Sequence, residues 1–232
     1  MKYKAHDYQQ YATDFIIGHP VSCLILDMGL GKTVITLTAL WLLLFDYFEV
    51  RRILVIAPKR VAETTWPAEI KKWEHLYGMT FAVAMGTAGQ RKEALLSGAD
   101  VTIIGRDNVS WMTKNIFFDF DMVVIDELSS FKNYQSQRFK FLRKVRPYVK
   151  RWVGLTGTPS SNGLMDLWAE IGILDGGERL GKFIGRYREA YFKAASMNPS
   201  SGVVFQYKPK EGAEELIYEE LANAIVLQAF KD

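Results

Sequence analysis

Residues 27–33 constrain the fold of this chain more than any other segment. They have the sequence Asp-Met-Gly-Leu-Gly-Lys-Thr and lie between the apolar runs 23–26 and 34–48. This order predicts a strand, a tight turn and a buried helix. Gly29 and Gly31 allow positive φ angles and a close backbone approach to an anion, and a helix N-terminus carries about half a positive charge. The segment therefore predicts a loop that binds the phosphates of a nucleotide.

The two residues that end this loop predict how a nucleotide would be held. In a Walker A loop the lysine, here Lys32, reaches the β- and γ-phosphates, and the hydroxyl of the next residue, here Thr33, ligates Mg²⁺. Leu26 stands where the first glycine of G-x-x-x-x-G-K-[ST] is expected, so a plain turn before a core helix is the alternative. The predicted nucleotide-binding residues of the loop are Met28, Gly29, Leu30, Gly31, Lys32 and Thr33.

A second motif supplies carboxylates. Residues 121–127 have the sequence Asp-Met-Val-Val-Ile-Asp-Glu, which predicts a short strand that ends in two acids. Asp126 would hold Mg²⁺, and Glu127 would orient and polarise the attacking water, because phosphoryl transfer depends on positioning and charge stabilisation. Acid pairs at strand ends are also common on solvated surfaces. The separation from Lys32 is nevertheless long enough for βα units to return a parallel strand beside the phosphate loop.

Short apolar runs alternate with helical stretches along most of the chain. This alternation predicts an α/β fold with a mostly parallel sheet covered by helices on both faces, and ligands then bind at the carboxyl ends of the strands. The predicted strands are 21–26, 53–57, 80–85, 101–104, 122–125 and 152–155. Most of these runs are followed at once by a polar or glycine-containing motif.

Three of these motifs resemble those of superfamily 2 helicase-like ATPases, and most nearly the chromatin-remodeller (SWI/SNF) branch with its short bacterial and phage members. Residues 28–33 resemble the phosphate loop, 126–133 the D-E-x-H motif and 155–159 the L-T-G-T-P motif. The resemblance covers about residues 3–175. It implies the N-terminal RecA-like lobe of a P-loop ATPase that uses ATP and Mg²⁺.

Further positions take expected roles from this resemblance. Gln9 resembles an adenine-reading glutamine. Ser129 stands where many members carry histidine, and its hydroxyl can still form a hydrogen bond that couples the hydrolysis site to Thr156 and Thr158. The nucleic-acid contacts implied by motifs Ia and Ib are Lys59, Arg60 and Arg106.

Family members carry a second RecA-like lobe with an arginine finger. The resemblance therefore implies a Mg-ATP-binding first lobe of a DNA-dependent ATPase or translocase, which is weakly or not hydrolytic without that second lobe. Its partners would be ATP, double-stranded DNA and a second lobe in cis or in trans. A non-hydrolysing nucleotide- or DNA-binding module is the alternative. A different P-loop enzyme, such as a small-molecule kinase, is disfavoured by the L-T-G-T-P motif.

The organisation changes after residue 175. We expect an ATP-binding lobe at 1–175 and, at 176–232, a turn-rich appendage that leads toward a second lobe. Aromatic and cationic side chains are interleaved there, a pattern found both in surface subdomains and at nucleic-acid contacts. The apolar spacing of residues 214–230 predicts an amphipathic helix that returns to the lobe.

The charge is unevenly distributed. The net charge is +3, but residues 131–152 hold eight basic side chains and no acidic one, so either a solvated helix face or an anion-binding surface is expected there. The basic residues are Lys132, Arg138, Lys140, Arg143, Lys144, Arg146, Lys150 and Arg151.

No segment of the sequence predicts a membrane span. The longest apolar run, 34–45, has 12 residues and includes Thr36 and Thr38, whereas crossing a bilayer needs about 20. The single cysteine, Cys23, lies in a predicted buried strand and indicates a core position in a reducing compartment. We therefore expect a cytoplasmic protein of a bacterial cell, or of an infected host if a phage encodes it.

Overall fold

The computed structural model describes residues 1–157, 163–197, 200 and 204–228. Its centre is a seven-stranded sheet with the order β3-β4-β2-β5-β6-β1-β9, in which every neighbouring pair is parallel. Two further strands form a separate antiparallel hairpin. The strands are β1 Val21–Leu26, β2 Ile53–Ala57, β3 Phe81–Ala84, β4 Val101–Gly105, β5 Met122–Asp126, β6 Arg151–Thr156, β7 Phe192–Met197, β8 Val204–Pro209 and β9 Ile225–Gln228.

Helices connect the strands. The α-helices are α1 Asp7–Gly18, α2 Lys32–Trp41, α3 Trp66–Lys72, α4 Ala88–Leu96, α5 Val109–Asn115, α6 Gln137–Val145, α7 Leu164–Asp175, α8 Ile184–Tyr191 and α9 Ala213–Leu221. A π-helical segment, Leu42–Asp46, extends α2 at its end, and a second one, Val61–Thr65, directly precedes α3. The π-helical turn before α3 lies inside one continuous helical stretch, residues 59–72.

Both faces of the sheet are buried. Along β1, Cys23 and Ile25 belong to the core beneath α5, α6 and α7, while Leu24 and Leu26 belong to the core beneath α1, α2 and α3. Successive side chains of a strand point to opposite faces, so a strand covered on both sides must be apolar throughout. This explains why the central strands are continuous apolar runs, and it confirms the predicted α/β fold.

The predicted strands are confirmed with small shifts at their ends. The predicted helix over residues 214–230 is confirmed as far as Leu221 and wrong for Ile225–Gln228, while residues 229 and 230 lie outside the described part of the chain. Helix α9 ends at Leu221, and Ile225–Gln228 instead forms β9, which pairs in parallel with β1. The segment therefore returns to the lobe as expected, but as an edge strand. Strand β9 belongs to the main sheet although it lies beyond the expected boundary at residue 175, and that boundary remains a prediction.

The segment between α7 and β9 carries the hairpin. Strands β7 and β8 pair beside α8, and the Arg188 guanidinium lies over the Tyr207 ring at 4.9 Å. Tyr187 is buried and donates a hydrogen bond of 2.7 Å to the Leu164 carbonyl, which fixes α8 on the lobe. The aromatic residues of this segment thus pack on the lobe in part.

Among the described residues, no helix has the length and apolar character that a membrane span requires.

Candidate nucleotide and magnesium site

The predicted strand, turn and helix around the phosphate loop are present. Strand β1 ends at Leu26 and α2 begins at Lys32, with φ angles of 87° at Gly29 and 80° at Gly31. Residues that carry a Cβ atom rarely adopt positive φ angles of this size, so both glycines are needed for the turn. The loop therefore aims the N-terminus of α2 at the space above the sheet, as an anion site requires.

The Lys32 ammonium lies at the mouth of this loop. It donates hydrogen bonds of 2.6 Å to the Leu26 carbonyl and 3.1 Å to the Asp27 carbonyl. Partial burial lowers the pKa of Lys32, while the carboxylates of Asp126, Glu127 and Asp27 act in the opposite direction. These interactions place Lys32 and the acid pair in one electrostatic site.

Sheet topology explains this proximity. Strand β6 lies between β1 and β5, with Leu155 opposite both Leu24 and Asp126. Neighbouring strands are about 4.8 Å apart, so Asp126 is about 10 Å across the sheet from β1 and at the same carboxyl edge. The structure therefore brings together the two motifs that the sequence places far apart.

The Asp126 carboxylate is held by a side chain that the motif analysis did not predict. The Trp66 indole donates a hydrogen bond of 2.9 Å from Nε1 to Asp126 Oδ2, and Trp66 is completely buried. Burial raises the pKa of Asp126, and the charge of Glu127 adds to this effect, whereas the Trp66 hydrogen bond and the Lys32 charge oppose it. Sequence spacing could not reveal this contact, because it joins α3 to a strand 60 residues later.

Glu127 adopts an unusual backbone conformation. Its φ and ψ are 60° and 59°, in the left-handed region that costs a residue with a side chain about 1 kcal/mol or more. The Ser129 hydroxyl donates a hydrogen bond of 2.6 Å to Glu127 Oε1. Ser129 thus contacts the predicted catalytic carboxylate directly.

The predicted coupling partners of Ser129 are only partly visible. Thr156 is buried at the end of β6, on the strand next to the acid pair, and Thr158 lies outside the described residues. Gly157 approaches the phosphate loop so closely that a Cβ there would lie 3.9 Å from Lys32 Nζ. The expected role of Thr156 and Thr158 in coupling remains a prediction.

The Gln9 side chain contacts the phosphate loop and the segment before α1. Its Oε1 accepts hydrogen bonds from the His6 backbone N–H at 3.0 Å and the Tyr3 hydroxyl at 3.3 Å, and its Nε2 donates to the Leu30 carbonyl at 3.4 Å. A Cβ on Gly31 would lie 2.7 Å from Gln9 Nε2. Gln9 therefore supports the loop, and its predicted contact with adenine stays a prediction.

A cleft of about 670 Å³ opens beside these groups. Its size is within the range of small-molecule sites. Met28, which is 91% exposed, stands at its rim. The cleft is lined by Met1, Lys2, Tyr3, Lys4, His6, Gln9, Met28, Gly29, Gly31, Lys32, Thr33, Val34, Thr65, Glu69, Lys72 and Trp73.

A buried carboxyl group lies in the core near the acid pair. Glu170 of α7 is 1% exposed, and its pKa is raised to about 8 by burial and by the charges of Asp166 and Glu127, against the opposing charge of Lys132. Its Oε1 has no hydrogen-bond partner among the described residues. Burial and the Glu170 charge also raise the pKa of Cys23, which is a free thiol in the core as predicted.

The predicted nucleic-acid residues lie at one edge of the sheet. Ala57 and Gly105, the last residues of β2 and β4, are paired in register, so the residues that follow them emerge side by side. Lys59 and Arg60 are exposed and Arg106 is half-buried. The three cations thus follow two neighbouring strand ends, and Lys59 helps to line a cleft of about 320 Å³ there.

The basic block of residues 131–152 is mostly structural. Arg143 and Arg146 donate to the carbonyls of Gly172 and Leu174, and Arg151 is buried, where it contacts Glu49 at 2.6 Å. Three more members pair with acids: Lys132 with Asp166, Arg138 with Asp107, and Lys150 with Asp121. In the described part of the chain, Lys140 and Lys144 are the members that are exposed and make no ion pair. The block as a whole is therefore not a free anion-binding face.

Comparison with known proteins defines the family. A model of the SNF2-related domain matches residues 8–177, which include the phosphate loop and the acid pair. This chain belongs to the SNF2-related family. The family consists of helicase-like ATPases, and the match confirms the resemblance that the motifs indicated.

Individual relatives agree with the SNF2-related assignment. The chain is 40% identical over 174 residues to putative protein p41 of Acyrthosiphon pisum secondary endosymbiont phage 1, a match that covers 72% of this chain and 38% of that protein. It is 28% identical over 177 residues to the helicase swr1 of Aspergillus fumigatus, covering 70% of this chain and 10% of that protein.

The fold is similar to that of the Sulfolobus solfataricus SWI2/SNF2 ATPase core, solved in complex with dsDNA. The TM-score is 0.77 at 24% identity, and the match covers 97% of this chain and 44% of that one. A second structure of the Sulfolobus solfataricus SWI2/SNF2 ATPase core domain gives a TM-score of 0.68 at 23% identity. This chain thus spans less than half the length of the relatives and structures that it matches here.

Proposed function

We propose that this chain is the Mg-ATP-binding first lobe of a DNA-dependent ATPase or translocase. The observation that supports this most is the sheet register, which places the phosphate loop after β1 and Asp126 at the end of β5 along one carboxyl edge, with the charges of Asp126 and Glu127 acting on the pKa of Lys32. A cation at a helix N-terminus faces two acids there, which is the charge pattern that a metal-bound triphosphate needs.

The donor set fits Mg²⁺. Thr33 offers a hydroxyl and Asp126 a carboxylate, both of which are hard oxygen ligands. Among the described residues, no group of three or more His, Cys, Asp or Glu side chains could cage a metal ion. This agrees with Mg²⁺, which is typically held by one or two carboxylates together with substrate phosphates. Bound Mg²⁺ would neutralise charge on the phosphates.

The side chains of this chain divide the remaining work. Lys32 would exchange its two carbonyl partners for phosphate oxygens, and the backbone N–H groups that follow Gly29 would cradle the phosphates. Glu127 would orient the attacking water and accept its proton. Ser129 would hold the Glu127 carboxylate in one orientation through their hydrogen bond. Hydrolysis therefore depends on a glutamate whose backbone and side chain are both constrained.

We further propose that rapid turnover needs a second RecA-like lobe. The match covers 38% of the phage protein and 44% of the Sulfolobus solfataricus structure, and an arginine finger contributes about 10³- to 10⁵-fold to the rate of phosphoryl transfer in ATPases of this kind. The lobe alone should bind ATP well and hydrolyse it slowly.

Double-stranded DNA is the proposed polymer. The structural neighbour was solved with dsDNA, and Lys59, Arg60 and Arg106 emerge together at the edge formed by β2 and β4. Cations at such a site contact phosphates without reading sequence, so the binding should weaken steeply with salt.

Phosphate release and nucleotide binding, measured side by side, test this proposal. We expect micromolar Mg-ATP binding, slow phosphate release and little stimulation by duplex DNA from this chain alone. Rapid, DNA-stimulated release by the chain alone would contradict the need for a second lobe. Binding with no release under single-turnover conditions would favour the alternative of a non-hydrolysing module.

A further inference from the structure

Trp66 contacts the predicted magnesium ligand without belonging to any of the nucleotide motifs. Its Nε1 lies 2.9 Å from Asp126 Oδ2, and the indole is completely buried. An indole N–H can only donate, so its partner must be an acceptor, and a carboxylate gives the stronger, charge-assisted form of this bond. The contact therefore requires that the Asp126 carboxylate turns Oδ2 toward α3.

This hydrogen bond restricts the carboxylate. The Asp126 carboxylate is thus hydrogen-bonded both by Trp66, at Oδ2, and by the backbone N–H of Glu127, which together limit its rotation. Groups that hydrogen-bond a metal ligand fix its orientation, and their loss typically costs about 10- to 100-fold in metal affinity. A buried tryptophan is well suited to this task because its ring cannot move without disturbing the core.

Trp66 also belongs to the helical stretch that begins with the proposed nucleic-acid contacts. Residues 59–72 form one continuous helical stretch, in which Lys59 and Arg60 occupy the first turn and Trp66 begins the α-helical part. The π-helical turn Val61–Thr65 lies between them, and such turns are frequent at functional sites. Trp66 lies seven positions after Lys59, a rise of about 10 Å along a helix.

We propose that Trp66 is a positioning residue that fixes the magnesium-binding orientation of Asp126 and attaches it to the helix carrying Lys59 and Arg60. This inference rests on the proposed function, in which Asp126 ligates Mg²⁺. It adds a residue from α3 to the site. Through Trp66, the helical stretch that begins with the proposed DNA contacts is joined by a hydrogen bond to the proposed metal ligand.

The test compares Trp66→Phe with Trp152→Phe. Both tryptophans are completely buried, but the Trp152 indole nitrogen has no hydrogen-bond partner among the described residues. ATP affinity is measured by calorimetry with EDTA and at increasing Mg²⁺. Trp66→Phe should bind ATP like the wild type in EDTA but need about 10- to 100-fold more Mg²⁺ to reach its full affinity. Trp152→Phe should keep the wild-type Mg²⁺ dependence.

A wild-type measurement covers the case in which Trp66→Phe does not fold. In protein labelled with ¹⁵N-tryptophan, the Trp66 indole N–H signal should shift when Mg²⁺ is added to the ATP complex, while the Trp152 signal stays in place. An unmoved Trp66 signal, or a Trp66→Phe variant with wild-type Mg²⁺ dependence, would overturn the inference while the proposed function stands. A wild-type protein whose ATP binding ignores Mg²⁺ would instead overturn the proposed function.

Discussion

Ser129 donates a hydrogen bond of 2.6 Å to Glu127, the predicted catalytic carboxylate. The two residues are joined by a turn in which Glu127 is left-handed, so backbone and side chain cooperate to aim the carboxylate. In this chain a serine occupies the position where a histidine is expected, and it hydrogen-bonds the predicted catalytic carboxylate.

Removing the Ser129 hydroxyl should slow hydrolysis without affecting nucleotide binding. We expect Ser129→Ala to lower single-turnover phosphate release about tenfold, a part of the roughly 10²- to 10⁴-fold effect of a positioned general base. ATP affinity by calorimetry should not change. Ser130→Ala is the matched control, because the Ser130 hydroxyl has no partner among the described residues. Equal rates for the two variants would argue against a role for Ser129.

The left-handed backbone of Glu127 should oppose stability. Glycine adopts this conformation without strain, so Glu127→Gly should raise the free energy of unfolding by about 1 kcal/mol while abolishing phosphate release. Glu127→Gln keeps the Cβ and the strain, and should abolish release with little change in stability. Urea denaturation of the three proteins measures the difference. A Glu127→Gly variant no more stable than Glu127→Gln would show that the turn is unstrained.

The buried Glu170 should make stability fall as the pH rises. Its pKa is near 4.5 in an unfolded chain and about 8 in the fold, so the folded state holds the proton more tightly. The stabilising contribution of the neutral carboxyl is complete below pH 4.5 and is lost as the pH rises through 8. Asp126, whose pKa is also raised, contributes a slope of the same sign.

Replacing Glu170 by a neutral glutamine isolates its contribution to the pH dependence of stability. Glu170→Gln should be more stable than the wild type by about 1 to 3 kcal/mol at pH 8, and this advantage should disappear near pH 5. Exposed Glu215 supplies the control, since Glu215→Gln should leave the pH profile unchanged. Chemical denaturation at several pH values gives the profile. Parallel profiles for the wild type and Glu170→Gln would mean that Glu170 is ionised in the folded state.

The sequence predicted the site more fully than it predicted the parts that support it. Buried parallel strands are continuous apolar runs that end at polar motifs, so the positions of Lys32, Asp126 and Glu127 at one sheet edge followed from pattern alone. The pattern around residues 214–230 did not separate strand from helix, because Leu221 and Ile225 fit helical spacing equally well. Only the free edge of β1 decides that Ile225–Gln228 is a strand.

Tertiary partners account for the remaining differences. The Trp66 contact with Asp126 joins distant segments, and no local pattern reports it. The sequence reveals that the basic block is positively charged. It does not reveal that Arg143, Arg146 and Arg151 donate hydrogen bonds to carbonyl groups of the lobe. Which cations are free for a polyanion is decided by the packing of α6 and α7.

Nucleic-acid binding should therefore depend on the sheet edge and not on α6. We expect Lys59→Ala to weaken duplex binding and to reduce the slope of log affinity against log salt by about 1. Lys144→Ala, which removes an exposed lysine of the basic block, should leave both unchanged. Fluorescence anisotropy with labelled duplex DNA at several salt concentrations measures the slope. A larger effect for Lys144→Ala than for Lys59→Ala would indicate that DNA binds at α6 instead.

If Lys32 and Asp126 hold one Mg-ATP between them, a double-mutant cycle on Mg-ATP affinity shows this most directly. Calorimetry on the wild type, Lys32→Ala, Asp126→Ala and the double variant, each checked for an unchanged fold by circular dichroism, gives the coupling energy. Groups that share one ligand are not additive, so we predict a coupling of at least about 1 kcal/mol. Additive effects, or an unchanged affinity for Lys32→Ala, would contradict the account.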